Sequence, residues 1–229
     1  MGNIAEQLVD MLAEAGVKRI YAVTGDSLNK VNDAVRKDGR IQWIHVRHEE
    51  TGAFAAGAEA QLHGGLACCA GSSGPGHVHL INGVYDAHRS GASVLVIASA
   101  LPSGEFGTQY FQETNTIRLF DDCSYYNQVA TTSQQFPRML QGAIQAATSR
   151  KGVAVIGLPG DLAGEGEENP LSATKMFPVT PRICPSEHEL QQLAELLNRN
   201  SNITIFCGIG AQDAHDEVVE LSQCLHAPV

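Results

Sequence analysis

Apolar residues along this chain switch repeatedly between two periods. Ile4, Leu8, Leu12 and Ala15 recur at helical spacing, Gly16 stops them, and Ile20 to Val23 follows as an apolar run of strand length. The same order of helix then strand returns: a helical stretch after Ser27, a strand around Gln42 to His45, an Ala-rich helix from Glu49 to Leu62, and a strand at Leu66 to Ala70. Pro75 stands where a first helical turn begins, behind Ser72, Ser73 and Gly74, and predicts a helix running to Arg89. Ser93 to Ala98 reads as a buried strand, Tyr125 to Val129 and Val153 to Leu158 as two more, with a helix at Phe136 to Ala147. Between them, Leu101 to Thr114 has no period, which in a compact domain marks a functional loop.

Near-continuous apolar strands alternating with helices require a parallel sheet covered on both faces. The expected fold is a doubly wound α/β domain over residues 1–162, then a Gly-, Glu- and Pro-rich linker over 163–181. A second α/β unit begins at 182. Ser186 and Glu189 form a capping box for a helix to Asn198, Ile203 to Cys207 reads as a buried strand, and a helix covers His215 to Leu225. One or two strands cannot bury a core, so we expect the natural protein to continue past Val229, with apolar surface left open near Ile203–Cys207 and Val218–Leu225.

The composition narrows the function. With 229 residues, 43% of them apolar, the chain suffices for one domain with a sizeable core and part of another. A formal charge of −10, without a Lys/Arg cluster long enough to track a phosphate backbone, argues against nucleic acid as a partner. No apolar run approaches the ~20 residues of a membrane helix and the N-terminus lacks a basic-then-apolar leader, so a cytoplasmic protein is expected. The six cysteines show no metal-type Cys-x-x-Cys spacing and read as reduced, mostly buried small hydrophobes.

Ligands of open α/β sheets gather where strands end. Four such segments carry chemistry: Thr24-Gly25-Asp26-Ser27, Arg47-His48-Glu49-Glu50, Gly71-Ser72-Ser73-Gly74-Pro75-Gly76 and Tyr110-Phe111-Gln112-Glu113. Two carboxylates at a helix start are ordinary dipole complements. The helix behind them is not ordinary: Gly52, Ala53, Ala55, Ala56, Gly57, Ala58 and Ala60 leave it almost bare, a surface built for close backbone approach that would hold a carboxylate half-buried. The 71–76 stretch reads equally as an anion cradle or as a tight strand-to-helix turn, and matches neither the Walker nor the dinucleotide spacing. His45, His48, His77 and His79 do not form a helical pair with a third ligand, and no metal site is expected.

In order and spacing, Thr24 to Asn29, Arg47 to Glu50, Phe54 to Ala60, Gly74-Pro75-Gly76 with Asn82-Gly83, and Phe111-Gln112-Glu113 resemble the thiamine-diphosphate-dependent enzymes, closest to the pyruvate oxidase or quinone-linked pyruvate dehydrogenase branch. The resemblance covers essentially the whole chain. It implies a pyrimidine-binding domain followed by the start of a central domain, with Glu49, not Glu50, sharing a proton with N1′ of the aminopyrimidine and so activating the cofactor for attack on pyruvate. It further implies cofactor contacts at Gly25, Gly74, Pro75 and Gly76, and a substrate pocket from Asp26, Ser27, His79, Phe111 and Gln112. The family holds the diphosphate through Mg²⁺ on a Gly-Asp-Gly motif that this sequence lacks, so Mg²⁺, the main FAD ligands and any membrane-binding segment are expected outside it. A second subunit of the same protein is expected to complete the site, leaving the isolated chain inactive. Acetolactate synthase shares fold and glutamate and stands as an alternative, as does a non-catalytic subunit-interaction domain.

Overall fold

The computed structural model describes residues 2–166 and 183–229, which group into two compact units, 1–180 and 181–229. In the first unit the elements run α1 (Ile4–Glu14), β1 (Arg19–Ala22), α2 (Asn29–Asp38), β2 (Gln42–His45), α3 (Glu49–His63), β3 (Ala67–Gly71), α4 (Pro75–Val78), α5 (Ile81–Arg89), β4 (Val94–Ala100), α6 (Thr116–Leu119), β5 (Tyr126–Val129), α7 (Phe136–Arg150) and β6 (Val153–Pro159). The six strands are all parallel, in the order β2-β1-β3-β4-β6-β5. This is the doubly wound α/β sheet that the alternating pattern predicts.

Burial sorts the strands as their sequences do. The central β4 and β6 are buried throughout, whereas the edge strands β2 and β5 carry Gln42, Asn127 and Gln128 and are only partly covered. Side-chain alternation on β4 sends Leu95 and Ile97 into one core and Val94, Val96 and Ala98 into the other. The first core takes Leu8 and Leu12 of α1, Val31 of α2 and Leu140 of α7; the second takes Ala53 and Ala56 of α3 with Val84 and Ala87 of α5. Helices thus cover both faces. Because the chain leaves β1 for β2 on one side and continues to β3 on the other, the crevice between β1 and β3 at their carboxyl ends is the topological switch point.

The bare helix behaves as its composition predicts. Gly83 of α5 lies so close to α3 that a Cβ there would sit 2.5 Å from Ala53 Cβ and 2.7 Å from the backbone nitrogen of Phe54, and one at Gly57 would meet Ala87 at 3.3 Å. Only residues without side chains allow this seam.

Three expectations need correction. The helix expected from Pro75 to Arg89 is two helices: His79 and Leu80 take ψ of −22° and −21°, nearer 3-10 than α geometry, and the break lets Leu80 be fully buried while His79 reaches Glu49. The loop 101–114 contains a 3-10 turn, Ser103–Glu105, and leads into the unexpected α6, capped by Asn115 accepting from the Arg118 N–H. In the second unit α8 (Glu187–Asn198) carries the expected capping box from Ser186 and α9 covers His215–Leu225, but Ile203–Cys207 is not a strand. Among the described residues its one backbone bond runs from the Ile205 N–H to Pro228 O, and a strand needs a ladder. Phe206, 97% exposed, and Val219 and Leu221 leave apolar surface open there. Of the expected linker, 163–166 close the first unit and 167–181 lie outside the described residues.

The seam makes a stability prediction. Gly83→Ala should destabilise the protein by about 1–3 kcal/mol through overpacking, whereas Gly65→Ala, where a Cβ meets open space, should stay within about 0.5 kcal/mol of the parent. Urea midpoints of the two variants measure the difference.

Candidate functional site

Four chain segments meet at the carboxyl edge of the sheet. After β1, Gly25 packs against Ser72, leaving a Cβ at Gly25 only 2.4 Å from Ser72 Cβ. The Ser27 hydroxyl accepts from the Ser73 N–H (3.0 Å), and Ser27 O accepts from the Ser99 hydroxyl (2.9 Å), tying the ends of β1, β3 and β4 together. Asp26 is exposed, and one of its carboxylate oxygens accepts from the Ser27 N–H.

The 71–76 stretch folds as the tight strand-to-helix turn, not as an open cradle. A Cβ at Gly71 would fall 2.6 Å from Gly76 O and one at Gly76 2.4 Å from Ser72 Oγ. Gly74 has φ +66° and lies against Gln112, while Pro75 fills the first helical position of α4, where its missing N–H costs nothing. Gln112 itself has φ +68°, in the left-handed region that side chains rarely adopt, and its Oε1 receives the Ser73 hydroxyl at 3.5 Å. The carboxylate of Glu113 clasps the loop by accepting from the Gly107 N–H at 2.6 Å. Phe111 is 78% exposed on this loop.

Glu49 and Glu50, alike in sequence, are opposite in structure. Glu50 is half-covered and accepts from Asn82 Nδ2 across the α3–α5 seam at 2.6 Å. Glu49 is 8% exposed at the first position of α3, and its Oε2 receives His79 Nδ1 at 3.0 Å. Among the described residues its other oxygen has no hydrogen-bond donor. His48 caps α3, its Nδ1 accepting from the Glu50 N–H at 3.2 Å, and its ring stacks on that of His79 with centroids 4.6 Å apart and planes 24° apart.

The structure therefore brings Glu49 and His79 into contact, gathers Ser27, Ser73, Gly74 and Gln112 in a second cluster, and keeps Asp26 and Phe111 at the surface. Sequence reasoning assigned His48 no site role; the structure places it, half exposed, as the N-cap directly before the carboxylates. His48, Glu49 and His79 are also a trio whose ligand atoms lie within 4.8 Å of one another, which helical spacing alone did not reveal. Within the trio His48 Nδ1 serves the cap, and His79 Nδ1 and Glu49 Oε2 bond each other.

A further residue that the sequence left unassigned is His77, buried beside a cavity of about 1100 Å³ that is bounded by the 106–118 segment and the end of β5. Ser99 O accepts from its Nδ1 at 3.0 Å, so the proton sits on Nδ1 and Nε2 is left to accept from the Thr114 hydroxyl. Burial pushes its pKa below 6.5, keeping the ring neutral.

Residues 2–119, just over half of the chain, match the family described as thiamine pyrophosphate enzyme, N-terminal TPP binding domain. The chain belongs to that family. Over 228 residues it is 48% identical to an uncharacterized 42.6 kDa protein of Pseudomonas amyloderamosa, covering 99% of this chain and 58% of that protein. It is 35% identical over 232 residues to the pyruvate oxidase of Lactiplantibacillus plantarum, covering 97% and 37%, and 26% identical over 230 residues to the chloroplastic acetolactate synthase of Arabidopsis thaliana, covering 98% and 34%. The chain thus spans less than two thirds of the length of these relatives. Among the described residues no helix is long and apolar enough to cross a membrane.

His77 gives a pH prediction. A histidine held neutral in the fold but free to protonate when unfolded contributes stability that is complete above pH 6.5 and declines as pH falls below it toward the folded value, by about 1.4 kcal/mol per pH unit at most. Urea unfolding on both sides of pH 6.5 should show that decline, and His77→Gln should flatten it; an unchanged slope assigns the effect elsewhere.

Proposed function

We propose that this chain forms the aminopyrimidine half of a thiamine-diphosphate site in an enzyme that oxidatively decarboxylates pyruvate, of the pyruvate oxidase or quinone-linked pyruvate dehydrogenase type. The observation that carries this reading is Glu49: a buried carboxylate at a helix start, with one oxygen held by His79 and the other left to accept from a ligand, in a chain of the thiamine pyrophosphate enzyme family. That arrangement fits a ring nitrogen that must gain and lose a proton.

When bound, thiamine diphosphate supplies the nucleophilic carbon that adds to a 2-keto group. The work of this chain is to prepare and surround it. Glu49 stands at the first position of α3 with one oxygen on His79, and its other oxygen is left to exchange a proton with N1′. Gly25, Gly74, Pro75 and Gly76 give the backbone the close approach that a cofactor contact requires. His79, Gln112, Asp26, Ser27 and Phe111 are assigned to the side where pyruvate reacts, with Gln112 fixed by its contacts to Ser73 and Gly74. The diphosphate end with its Mg²⁺, and the FAD of an oxidase, are assigned to residues outside this chain, and a second subunit of the same protein to the facing wall.

The 35% identity to pyruvate oxidase, against 26% to acetolactate synthase, supports the oxidase over the carboligase. In the complete enzyme carrying this chain, Glu49→Gln should lower turnover of pyruvate by roughly 10²–10⁴-fold while leaving the circular dichroism spectrum unchanged. Near-normal turnover would refute the role of Glu49. Product analysis decides the subtype: acetate or an acetyl ester with carbon dioxide supports the oxidase, and acetolactate rejects it.

A further inference from the structure

The N-cap of α3 breaks a local rule. Helix starts favour Ser, Thr, Asp or Asn, whose short side chains reach the free N–H groups at little cost. Here the position directly before the buried carboxylate holds a histidine, which does the same task through Nδ1. Departures of this kind concentrate at functional sites, and the ring has a second contact that a serine or asparagine could not make: it stacks on His79.

We infer that His48 is a positioning residue that holds His79 with its Nδ1–H on Glu49, and so decides which carboxylate oxygen is left for the ligand. Accepting from the Glu50 N–H requires a bare Nδ1, so the capping ring of His48 has its hydrogen on Nε2. The cap thus fixes both the tautomer and the plane of His48. The stacked plane then limits rotation of the His79 ring, which is otherwise half exposed. An ionised carboxylate only accepts, so the His79 bond to Glu49 Oε2 requires the proton on Nδ1. The chain of cause runs from the backbone of α3, through one ring to the next, and back to the first residue of the same helix.

Its catalytic meaning rests on the role proposed for Glu49, but its test does not. Long-range ¹H–¹⁵N spectra of the ¹⁵N-labelled 229-residue chain report which nitrogen of His79 carries the proton. In the parent chain Nδ1–H should dominate. His48→Asn keeps a good cap and removes the ring; His79 should then lose that dominance and move toward the averaged spectrum of a free imidazole. His48→Phe keeps a ring and removes the cap acceptor; His79 should retain Nδ1–H while the Glu50 amide exchanges faster with solvent. An unchanged His79 in His48→Asn overturns the inference, as does a parent spectrum dominated by Nε2–H. Loss of Nδ1–H in His48→Phe with its retention in His48→Asn overturns it too, because the cap alone would then be responsible. No substrate or cofactor enters this measurement, so it can fail while the Glu49→Gln result stands, and the reverse.

Discussion

The site depends on how closely two helices can lie. Where Gly83 meets Ala53 and Gly57 meets Ala87, α5 approaches α3 with only a methyl group between the backbones. This contact sets the height of α3 against the sheet, and therefore where its first turn ends. It brings Asn82 within reach of Glu50 and His79 within reach of Glu49. Two adjacent carboxylates are thereby given different neighbours: one is tied down at the surface and the other is buried with an oxygen to spare. A larger side chain on this seam would move the start of the helix, and Glu49 with it.

Much of this was legible in the sequence, because it rests on patterns that the chain states locally. Strand runs such as Val94 to Ala100 and the helix stop at Gly16 are written in single segments, and their order implies a parallel, doubly wound sheet. The bare face of α3 could be read from its Gly and Ala residues, and from it the burial of a carboxylate at its start. What could not be read is where long-range contacts decide. Pro75 to Arg89 has a continuous helical pattern, yet the helix breaks at His79 and Leu80, where one side chain meets Glu49 and the other enters the core. Ile203 to Cys207 is apolar enough for a strand, but no single segment specifies its own ladder partner. His48 and His79 are thirty-one positions apart, and nothing in either local sequence announces that their rings stack.

The relatives place the chemistry in a family and leave the substrate to the surroundings of the glutamate. Pyruvate oxidase and acetolactate synthase are names of different activities among relatives that cover nearly the whole of this chain. In this chain the walls are unequal. One is made of strand ends and a tight turn, the other of a long loop in which Gln109 and Gln112 both hold left-handed backbone.

That inequality follows from the serine ties at the strand ends. Ser27, Ser73 and Ser99 join three strands through backbone and hydroxyl groups alone, so the floor of the cleft is set before any ligand arrives. A rigid floor loses little entropy on binding, and what ordering remains falls on the loop above it. Over evolutionary time the same division allows change: an exposed loop residue such as Phe111 can be replaced without relaying the floor, whereas Ser103, tied to Asp161, and Gln112, tied to Ser73, move it with them.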